Sequence, residues 1–222
     1  MKAMLLAAGR GERLRPITDT LPKPLVQVGG KPLIAWHLAA LARAGIREVV
    51  INLSWLGEKL RAALGDGRDF GVRIDWSEEG PVPLEAGGGI FRALPLLGAD
   101  PFLVVNSDIW TDLPFSGLAL PPDAHAYLVL VPNPPQHPRG DFGLEADLVV
   151  NRDSARFTYC GVALYRPEFF SGCVDGRFPL LPLLNRAIGA RRVRGGLYHG
   201  QWSDVGTVER LARLNAQLRA LQ

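Results

Sequence analysis

The chain has 222 residues, of which 47% are hydrophobic, and its formal net charge at pH 7 is +3. Its basic residues are scattered along the sequence, and two cysteines are too few for a disulfide framework. No apolar stretch approaches the roughly 20 residues of a membrane span, and the N-terminal apolar run is too short for a signal peptide. These features predict a cytoplasmic protein that buries one substantial core, binds small anions, and has neither a nucleic-acid nor a membrane partner.

The first predicted element is a buried parallel strand, because residues 3–8 form a continuous apolar run. Gly9 and Gly11 then allow a sharp turn in which the backbone can approach a ligand. Four cations occupy the same segment: Arg10, Arg13, Arg15 and Lys23. A strand that leads into a glycine turn surrounded by cations is typical of a polyphosphate site. The run lacks the Gly-Lys-Ser/Thr end of a P-loop, and Leu14 stands where a dinucleotide fingerprint needs its third glycine.

The remaining hydrophobic pattern predicts alternating strands and helices, followed by a second half that is richer in strands. The predicted helices cover residues 31–44, 56–64, 90–97, 180–188 and 207–221. The predicted strands cover 48–53, 72–76, 101–105, 125–131, 142–150, 157–165, 191–198 and 199–202, and a glycine- and proline-rich loop covers 79–89. This order predicts a Rossmann-like α/β fold, in three α/β/α layers with a mostly parallel, mixed central sheet. Ligands of such sheets bind beyond the carboxyl ends of the strands, so the Gly9 turn and Asp108 would share one crevice.

Several polar residues and glycines fall at predicted strand ends and turns, and each has an ordinary alternative role. Asp108 follows a buried strand, where it is either a strand-end cap or a ligand of Mg²⁺. Asp204 precedes the last helix, where an acid also favours the helix N-terminus. The glycines at 87–89 either expose backbone N–H groups to a ligand or form a turn before a helix. Asn106 and Asp141 suit the hydroxyl or amide groups of a sugar, and both are equally typical of turns.

Four motifs together resemble the signature of the sugar-1-phosphate nucleotidyltransferases. They are Gly-x-Gly-x-Arg-Leu-x-Pro at 9–16 with Pro-Lys-Pro at 22–24, Leu-Glu-Ala-Gly-Gly-Gly at 84–89, Asn-Ser-Asp at 106–108, and Trp-Ser-Asp-Val-Gly-Thr at 202–207. Ser107 replaces the glycine that is usual in this family. Within the family, the chain is most similar to the N-acetylmuramate-1-phosphate uridylyltransferases, through the 84–89 run, Gly-Asp-Phe at 140–142 and the short chain.

The resemblance implies a nucleotide-diphospho-sugar transferase fold in a single domain, with a nucleotide-binding half at about 1–110 and a sugar-binding half at about 111–222. It implies Mg²⁺-dependent transfer of a uridylyl group from UTP to a sugar 1-phosphate, best matched by N-acetylmuramate 1-phosphate, in cell-wall sugar recycling. The alternatives are guanylyl transfer to mannose 1-phosphate, thymidylyl or uridylyl transfer to glucose 1-phosphate, and a non-catalytic regulator that binds nucleotide sugars. The expected partners are these small molecules, and the expected assembly is a monomer or a small homo-oligomer.

The same resemblance assigns a role to each candidate site residue. The catalytic residues are Arg13, Lys23 and Asp108, and Mg²⁺ is held by Asp108 and Asp204. The nucleotide-binding residues are Ala8, Gly9, Gly11, Glu12, Arg13, Lys23, Gly87 and Gly88. The sugar-binding residues are Glu85, Asn106 and Asp141. The chain lacks the Glu-Lys-Pro motif whose lysine meets the sugar phosphate in many relatives, which leaves three candidate cations for this phosphate: Arg139, Arg152 and Arg156.

Overall fold

The computed structural model describes residues 1–152 and 155–220. Its helices are α1 (Ile17–Thr20), α2 (Leu33–Arg43), α3 (Gly57–Leu64), α4 (Glu85–Leu97), α5 (Leu181–Gly189) and α6 (Val208–Arg219). Its strands are β1 (Ala3–Leu6), β2 (Gln27–Val28), β3 (Lys31–Pro32), β4 (Glu48–Leu53), β5 (Arg73–Glu78), β6 (Phe102–Asn106), β7 (Ile109–Thr111), β8 (Ala126–Val131), β9 (Phe142–Glu145), β10 (Leu148–Val150), β11 (Arg156–Tyr165), β12 (Val193–Leu197) and β13 (Trp202–Asp204). None of the described helices combines the length and the apolar character that crossing a bilayer requires.

The centre of the molecule is a nine-stranded sheet with the strand order β5-β4-β1-β6-β11-β8-β12-β10-β9. Strands β5, β4, β1 and β6 are parallel, as are β8 and β12, whereas β11 runs antiparallel to both β6 and β8. Strands β10 and β9 form an antiparallel hairpin, and β9 also pairs with the start of β11. The predicted α/β fold with a mixed central sheet is therefore confirmed. Parallel pairing joins Leu6 of β1 to Asn106 of β6, so the loops that follow these two strands emerge side by side.

Helices cover both faces of the sheet and make the three layers. Successive side chains of a strand point to opposite faces, and β1 shows this directly. Met4 shares one buried cluster with Ile90 of α4 and Leu184 of α5. Its neighbour Leu5 belongs to the other cluster, which contains Leu38 of α2. Each fully buried side chain of this size contributes about 1.5–3 kcal/mol to folding, so these two clusters fix the helices on the sheet.

The last helix, α6, packs over the loop that follows β1. Its residue Leu214 lies in a third apolar cluster together with Leu14 and Trp110. The predicted N-cap is confirmed, because the Thr207 hydroxyl accepts a hydrogen bond from the backbone N–H of Arg210. Residue 221, at the end of the predicted helix, lies outside the described residues. This packing holds the segment around residue 204 against the end of β6.

The helix predicted for residues 90–97 begins earlier, at Glu85, and this corrects the expectation of a glycine loop up to residue 89. The cause is tertiary packing. A Cβ atom at Gly88 would collide with the Gly176 carbonyl oxygen, and one at Gly87 would lie 2.6 Å from Cδ2 of Phe178. Glycine therefore lets the first turns of α4 lie directly against the 176–178 segment, and this close approach outweighs the low helix propensity of glycine.

Two strand predictions are also corrected. The strand predicted over 142–150 is a hairpin of β9 and β10, which turns at Ala146 with a φ of +53°. The segment predicted to complete the central sheet near 199–202 instead contributes to β13, which pairs with β7 in a separate two-stranded sheet. The second correction matters for the site, because the pairing puts Asp204 opposite Ile109 and hence beside Asp108.

Candidate active site

The loop after β1 folds back on the segment that carries Lys23. Gly11 has a φ of +65°, and a Cβ atom there would lie 2.9 Å from the Thr18 side chain and 3.1 Å from Cβ of Lys23. The Gly11 carbonyl accepts hydrogen bonds from the Leu14 backbone N–H (2.9 Å) and from the Thr18 hydroxyl (2.8 Å). Only glycine tolerates both this backbone angle and this crowding, so Gly11 brings the loop and Lys23 together.

This loop forms one wall of the main cavity, which has a volume of about 690 Å³ and lies at the carboxyl ends of β1 and β6. Six of the eight residues predicted to bind nucleotide line it: Ala8, Gly9, Gly11, Glu12, Arg13 and Lys23. The cavity is also lined by Glu85, Asn106 and Asp108, which the sequence assigned to the sugar or the metal. Arg13 is exposed and lines this cavity, and no carboxylate among the described residues forms an ion pair with it.

Lys23 and Asp108 form an ion pair at the base of the main cavity. The Lys23 ammonium donates to Oδ2 of Asp108 over 2.8 Å, and Lys23 is only 8% exposed. A buried ammonium requires a partner of opposite charge, and Asp108 supplies it. Lys23 and Asp108, two of the predicted catalytic residues, lie 85 positions apart in the sequence and are in direct contact in the structure.

The structure also brings the two predicted metal ligands together. The backbone N–H of Val205, the residue after β13, donates to the Asp108 carbonyl (2.8 Å), which ties the end of β13 to the turn between β6 and β7. Both aspartates line a second cavity of about 340 Å³, the carboxylate cavity. The carboxylate of Asp204 accepts hydrogen bonds from the Gln136 amide (2.8 Å) and from the Arg210 guanidinium. Each carboxylate is thus already paired with a basic side chain.

These two carboxylates fit a magnesium ion that is shared with a bound phosphate. The described residues contain no group of three or more His, Cys, Asp or Glu side chains able to enclose a metal ion. Mg²⁺ does not need such a cage, because it usually keeps several waters and takes one or two protein carboxylates plus substrate phosphates. Asp204 of β13 and Asp108, which directly precedes the paired strand β7, supply this hard oxygen donor set.

Arg210 is a site residue that the sequence analysis missed. It lies in the first turn of α6, and its guanidinium lines the carboxylate cavity next to Asp204. A Cβ atom on Gly206 would collide with this guanidinium, so the glycine makes room for it. The sequence alone does not predict its contact with Asp204, because this contact between residues six positions apart depends on the direction in which α6 leaves the site.

The three cations predicted for the sugar phosphate are all placed away from the two aspartates. Arg156 donates through Nε (3.0 Å) and Nη2 to the Asp141 backbone carbonyl. Arg152 pairs with Glu145, and Arg139 lines another pocket, which contains neither aspartate. The adjoining residues 153 and 154, which belong to the segment that replaces the family lysine motif, lie outside the described residues. The structure brings none of the three to the carboxylate cavity.

Asn106 stands where three cavities meet. It lines the main cavity, the carboxylate cavity and a third cavity of about 470 Å³, which we call the side chamber. Gly161, with a φ of +85° in an irregular part of β11, makes room for it, because a Cβ atom there would lie 2.9 Å from the Asn106 amide nitrogen. The strand irregularity and the glycine together fix Asn106 at this junction.

The other two predicted sugar ligands have protein partners of their own. Asp141 lines the side chamber and the carboxylate cavity, and its carboxylate is bonded to the Tyr159 backbone N–H (2.8 Å) and to Nε2 of His137 (2.9 Å). These bonds hold the loop before β9 against β11, while lone pairs on the carboxylate stay available to a ligand. Glu85 lines the main cavity and pairs with Arg177 over 2.9 Å.

Gly87 and Gly88 are the two predicted nucleotide-binding residues that the structure does not bring to a cavity. Both are buried inside α4, and neither lines the main cavity. The backbone N–H of Gly88 donates a hydrogen bond to the Phe178 carbonyl over 3.1 Å. The neighbouring Ala86 reaches the cavity wall instead.

A buried polar network in the wall of the main cavity was also missed by the sequence analysis. Glu79 is only 4% exposed, and its carboxylate accepts hydrogen bonds from the Asn52 amide (2.5 Å) and from the Leu84 backbone N–H (2.7 Å). The Asn52 carbonyl oxygen in turn accepts from the Ala7 backbone N–H over 2.6 Å. The network joins the ends of β1, β4 and β5, so it fixes the wall beside the nucleotide loop.

His37 contacts the backbone next to Asp108. It is buried in α2, and its Nε2–H donates to the carbonyl of Ile109 over 2.8 Å, since a carbonyl can only accept. Burial lowers the pKa of His37 to about 4, although the bond to Ile109 and the nearby charge of Asp108 oppose the shift. The residue after Asp108 is therefore held by a neutral imidazole.

The chain is similar in sequence to known nucleotidyltransferases. A family model for nucleotidyl transferases matches residues 2–157. The chain is 50% identical, over 97% of both chains, to the N-acetylmuramate alpha-1-phosphate uridylyltransferase of Neisseria meningitidis serogroup B. It is 37% identical to the enzyme of the same name from Caulobacter vibrioides, over 98% of this chain and 96% of that one.

Two solved structures share the fold at low sequence identity. HddC from Yersinia pseudotuberculosis superposes with a TM-score of 0.80 at 20% identity, over 97% of this chain and 98% of that one. The inositol-1-phosphate CTP transferase from T. maritima superposes with a TM-score of 0.75 at 19% identity, over 98% and 96% of the two chains. These likenesses establish the fold, and the family match establishes the class of enzyme. The chain belongs to the nucleotidyl transferase family, as the motifs around its first loop predicted.

Proposed function

We propose that this nucleotidyltransferase transfers the uridylyl group of UTP to N-acetylmuramate α-1-phosphate, giving the UDP-sugar and pyrophosphate in cell-wall sugar recycling. The observation that carries this proposal is the 50% identity, over 97% of both chains, to a relative of that name. The site supports it, because the main cavity combines a glycine loop, three cations and an aspartate at the ends of adjacent parallel strands.

In this proposal the first half of the chain holds the nucleotide. The backbone of Ala8, Gly9 and Gly11, with Glu12, forms the nucleotide wall of the main cavity. Arg13 faces the same cavity and would bind the triphosphate. Lys23 would bind the phosphates that leave as pyrophosphate, because its ammonium lies at the base of the cavity.

Asp108 and Asp204 would hold the magnesium ion. When it is bound there, the ion would neutralise phosphate charge and polarise the phosphoryl oxygens. The cations that pair with these carboxylates, Lys23 and Arg210, would lie beside the ion and would donate to phosphate oxygens.

The chemistry needs no nucleophile from the protein. An oxygen of the sugar phosphate attacks the α-phosphorus of UTP in line, and the bond from this phosphorus to the bridging oxygen of the β-phosphate breaks. The chain contributes by positioning the two substrates and by compensating charge. Asn106, at the junction of the cavities, would bind the sugar ring between the nucleotide and the second half of the chain.

A substrate screen tests the proposal directly. Each of UTP, GTP, CTP and dTTP is offered with N-acetylmuramate, N-acetylglucosamine, glucose and mannose 1-phosphates, and pyrophosphate release and product mass are measured. We expect the highest kcat/KM for UTP with N-acetylmuramate 1-phosphate. A clear preference for GTP with mannose 1-phosphate, or for dTTP with glucose 1-phosphate, would contradict the proposal. Nucleotide-sugar binding without pyrophosphate release would instead support a regulator.

A further inference from the structure

The side chamber adjoins the site but takes no part in the chemistry described above. It lies among the start of α4, the loop before β9, the beginning of β11 and the beginning of α5. It shares Ala86 and Asn106 with the main cavity, and Asp141 and Tyr159 with the carboxylate cavity. A sugar phosphate with its phosphate near Asp108 and its ring at Asn106 would therefore direct one ring substituent into the chamber.

One wall of the chamber is apolar and belongs to the start of α5. It consists of Leu180, Leu181 and Leu184. Leu184 is part of the buried core, whereas Leu181 is 53% exposed at the mouth of the chamber. A large exposed apolar side chain at the edge of a cavity offers surface that an alkyl group of a ligand can cover.

The facing wall is polar and carries the Arg156 guanidinium and the Asp141 carboxylate, and this carboxylate is already bonded to the Tyr159 backbone N–H and to His137. Both hydrogen bonds of the Arg156 guanidinium go to the backbone carbonyl of Asp141, which is neutral. This contact orients the guanidinium without neutralising it. Beside it, the Asn151 amide donates to the Asn185 amide oxygen over 3.0 Å, which leaves the Asn185 N–H groups for a ligand. A fixed guanidinium next to amides is suited to a carboxylate.

Resting on the proposed function, we propose that the side chamber recognises a carboxylate-bearing alkyl substituent of the acceptor sugar. Arg156 binds the carboxylate, and the leucines of α5 pack on the alkyl part. N-acetylmuramate fits this description, because it differs from N-acetylglucosamine by one lactyl ether, which combines a methyl group with a carboxylate. Arg156 is then a specificity residue and not the partner of the sugar phosphate.

The test compares two nucleotide sugars that differ only in this ether. Calorimetry measures the Kd of UDP-N-acetylmuramate and of UDP-N-acetylglucosamine for the wild type and for Arg156→Gln. We expect the wild type to prefer the first compound. Arg156→Gln should weaken the binding of UDP-N-acetylmuramate by about 10- to 100-fold, the usual range for a hydrogen bond to a charged group. It should weaken the binding of UDP-N-acetylglucosamine by less than about threefold. The matched control is Arg186→Gln, which removes an exposed arginine of α5 outside the chamber and should change neither Kd.

A second variant tests the chamber without touching the Asp141 loop. Leu181→Glu puts a negative charge at the exposed mouth, and it should weaken UDP-N-acetylmuramate selectively through repulsion. Equal wild-type affinities for the two nucleotide sugars would overturn the inference, as would equal losses for both compounds in Arg156→Gln, or no selective loss in Leu181→Glu. Turnover separates the two proposals: an inactive wild type with UTP and N-acetylmuramate 1-phosphate contradicts the proposed function, whereas an active enzyme with unselective binding contradicts only the chamber.

Discussion

The buried His37 makes the stability of this protein depend on pH in a way that can be calculated. Its pKa is about 4 in the folded chain, because burial disfavours the charged ring, and about 6.5 in the unfolded chain. Between these values the unfolded chain binds the proton more readily, so acid favours unfolding. The contribution of neutral His37 is complete above pH 6.5 and is lost as the pH falls toward 4. Linkage then predicts a loss of about 2 kcal/mol in the free energy of unfolding between pH 7 and pH 5.

Urea unfolding followed by the fluorescence of the five tryptophans measures this difference. The informative variant is His37→Gln, which keeps an N–H donor for the Ile109 carbonyl but does not titrate. Its loss of stability between pH 7 and pH 5 should be smaller than that of the wild type by about 2 kcal/mol. The exposed His199 gives the control His199→Gln, which should behave as the wild type does. The same pH dependence in the wild type and His37→Gln would show that His37 is not the group that titrates.

Three further predictions concern the reacting groups. Asp108→Asn and Asp204→Asn should each weaken Mn²⁺ binding, measured by electron paramagnetic resonance with UTP present, and should abolish most turnover; full activity in either variant would remove that residue from the metal site. Lys23→Ala should lower kcat by about 10²–10³-fold, since a fixed cation at the leaving group acts mainly in the transition state; a rise in KM for UTP with an unchanged kcat would contradict this role. Arg210 lines the carboxylate cavity but not the main cavity, so Arg210→Gln should lower kcat/KM for the sugar 1-phosphate by about tenfold or more while the Kd of UTP stays unchanged. An equal loss for both substrates would contradict this assignment.

Local sequence patterns predicted the parts of the site that depend on short-range geometry. The apolar run before Gly9 predicted β1, and the strand predicted over 48–53 has the same bounds as β4. Gly11 was singled out for its backbone freedom, and the structure shows the positive φ and the crowding against Lys23 that require glycine. In each case the residues that determine the local structure lie within one short segment, so the structure can be predicted without knowing the fold.

The errors arise where a residue is explained by a distant partner. Gly88 was interpreted as a loop residue because glycine is a poor helix former, and only the 176–178 segment explains its place in α4. Arg210 was missed because its position depends on the pairing of β13 with β7, and that pairing was itself predicted wrongly. The bond between Asn52 and Glu79 joins two strand ends that are 27 residues apart. Such pairs are created by tertiary packing and leave no local pattern.

The charges around the two aspartates explain how one cavity can present carboxylates to a polyphosphate. Two unpaired carboxylates would repel a triphosphate, and this repulsion is strong in a site partly shielded from water. Lys23 covers one of them and Arg210 covers the other, while Arg13 adds a further positive charge to the same walls. Each carboxylate is thus paired with a cation from a different part of the chain, and the two ion pairs together present no net charge to an incoming phosphate.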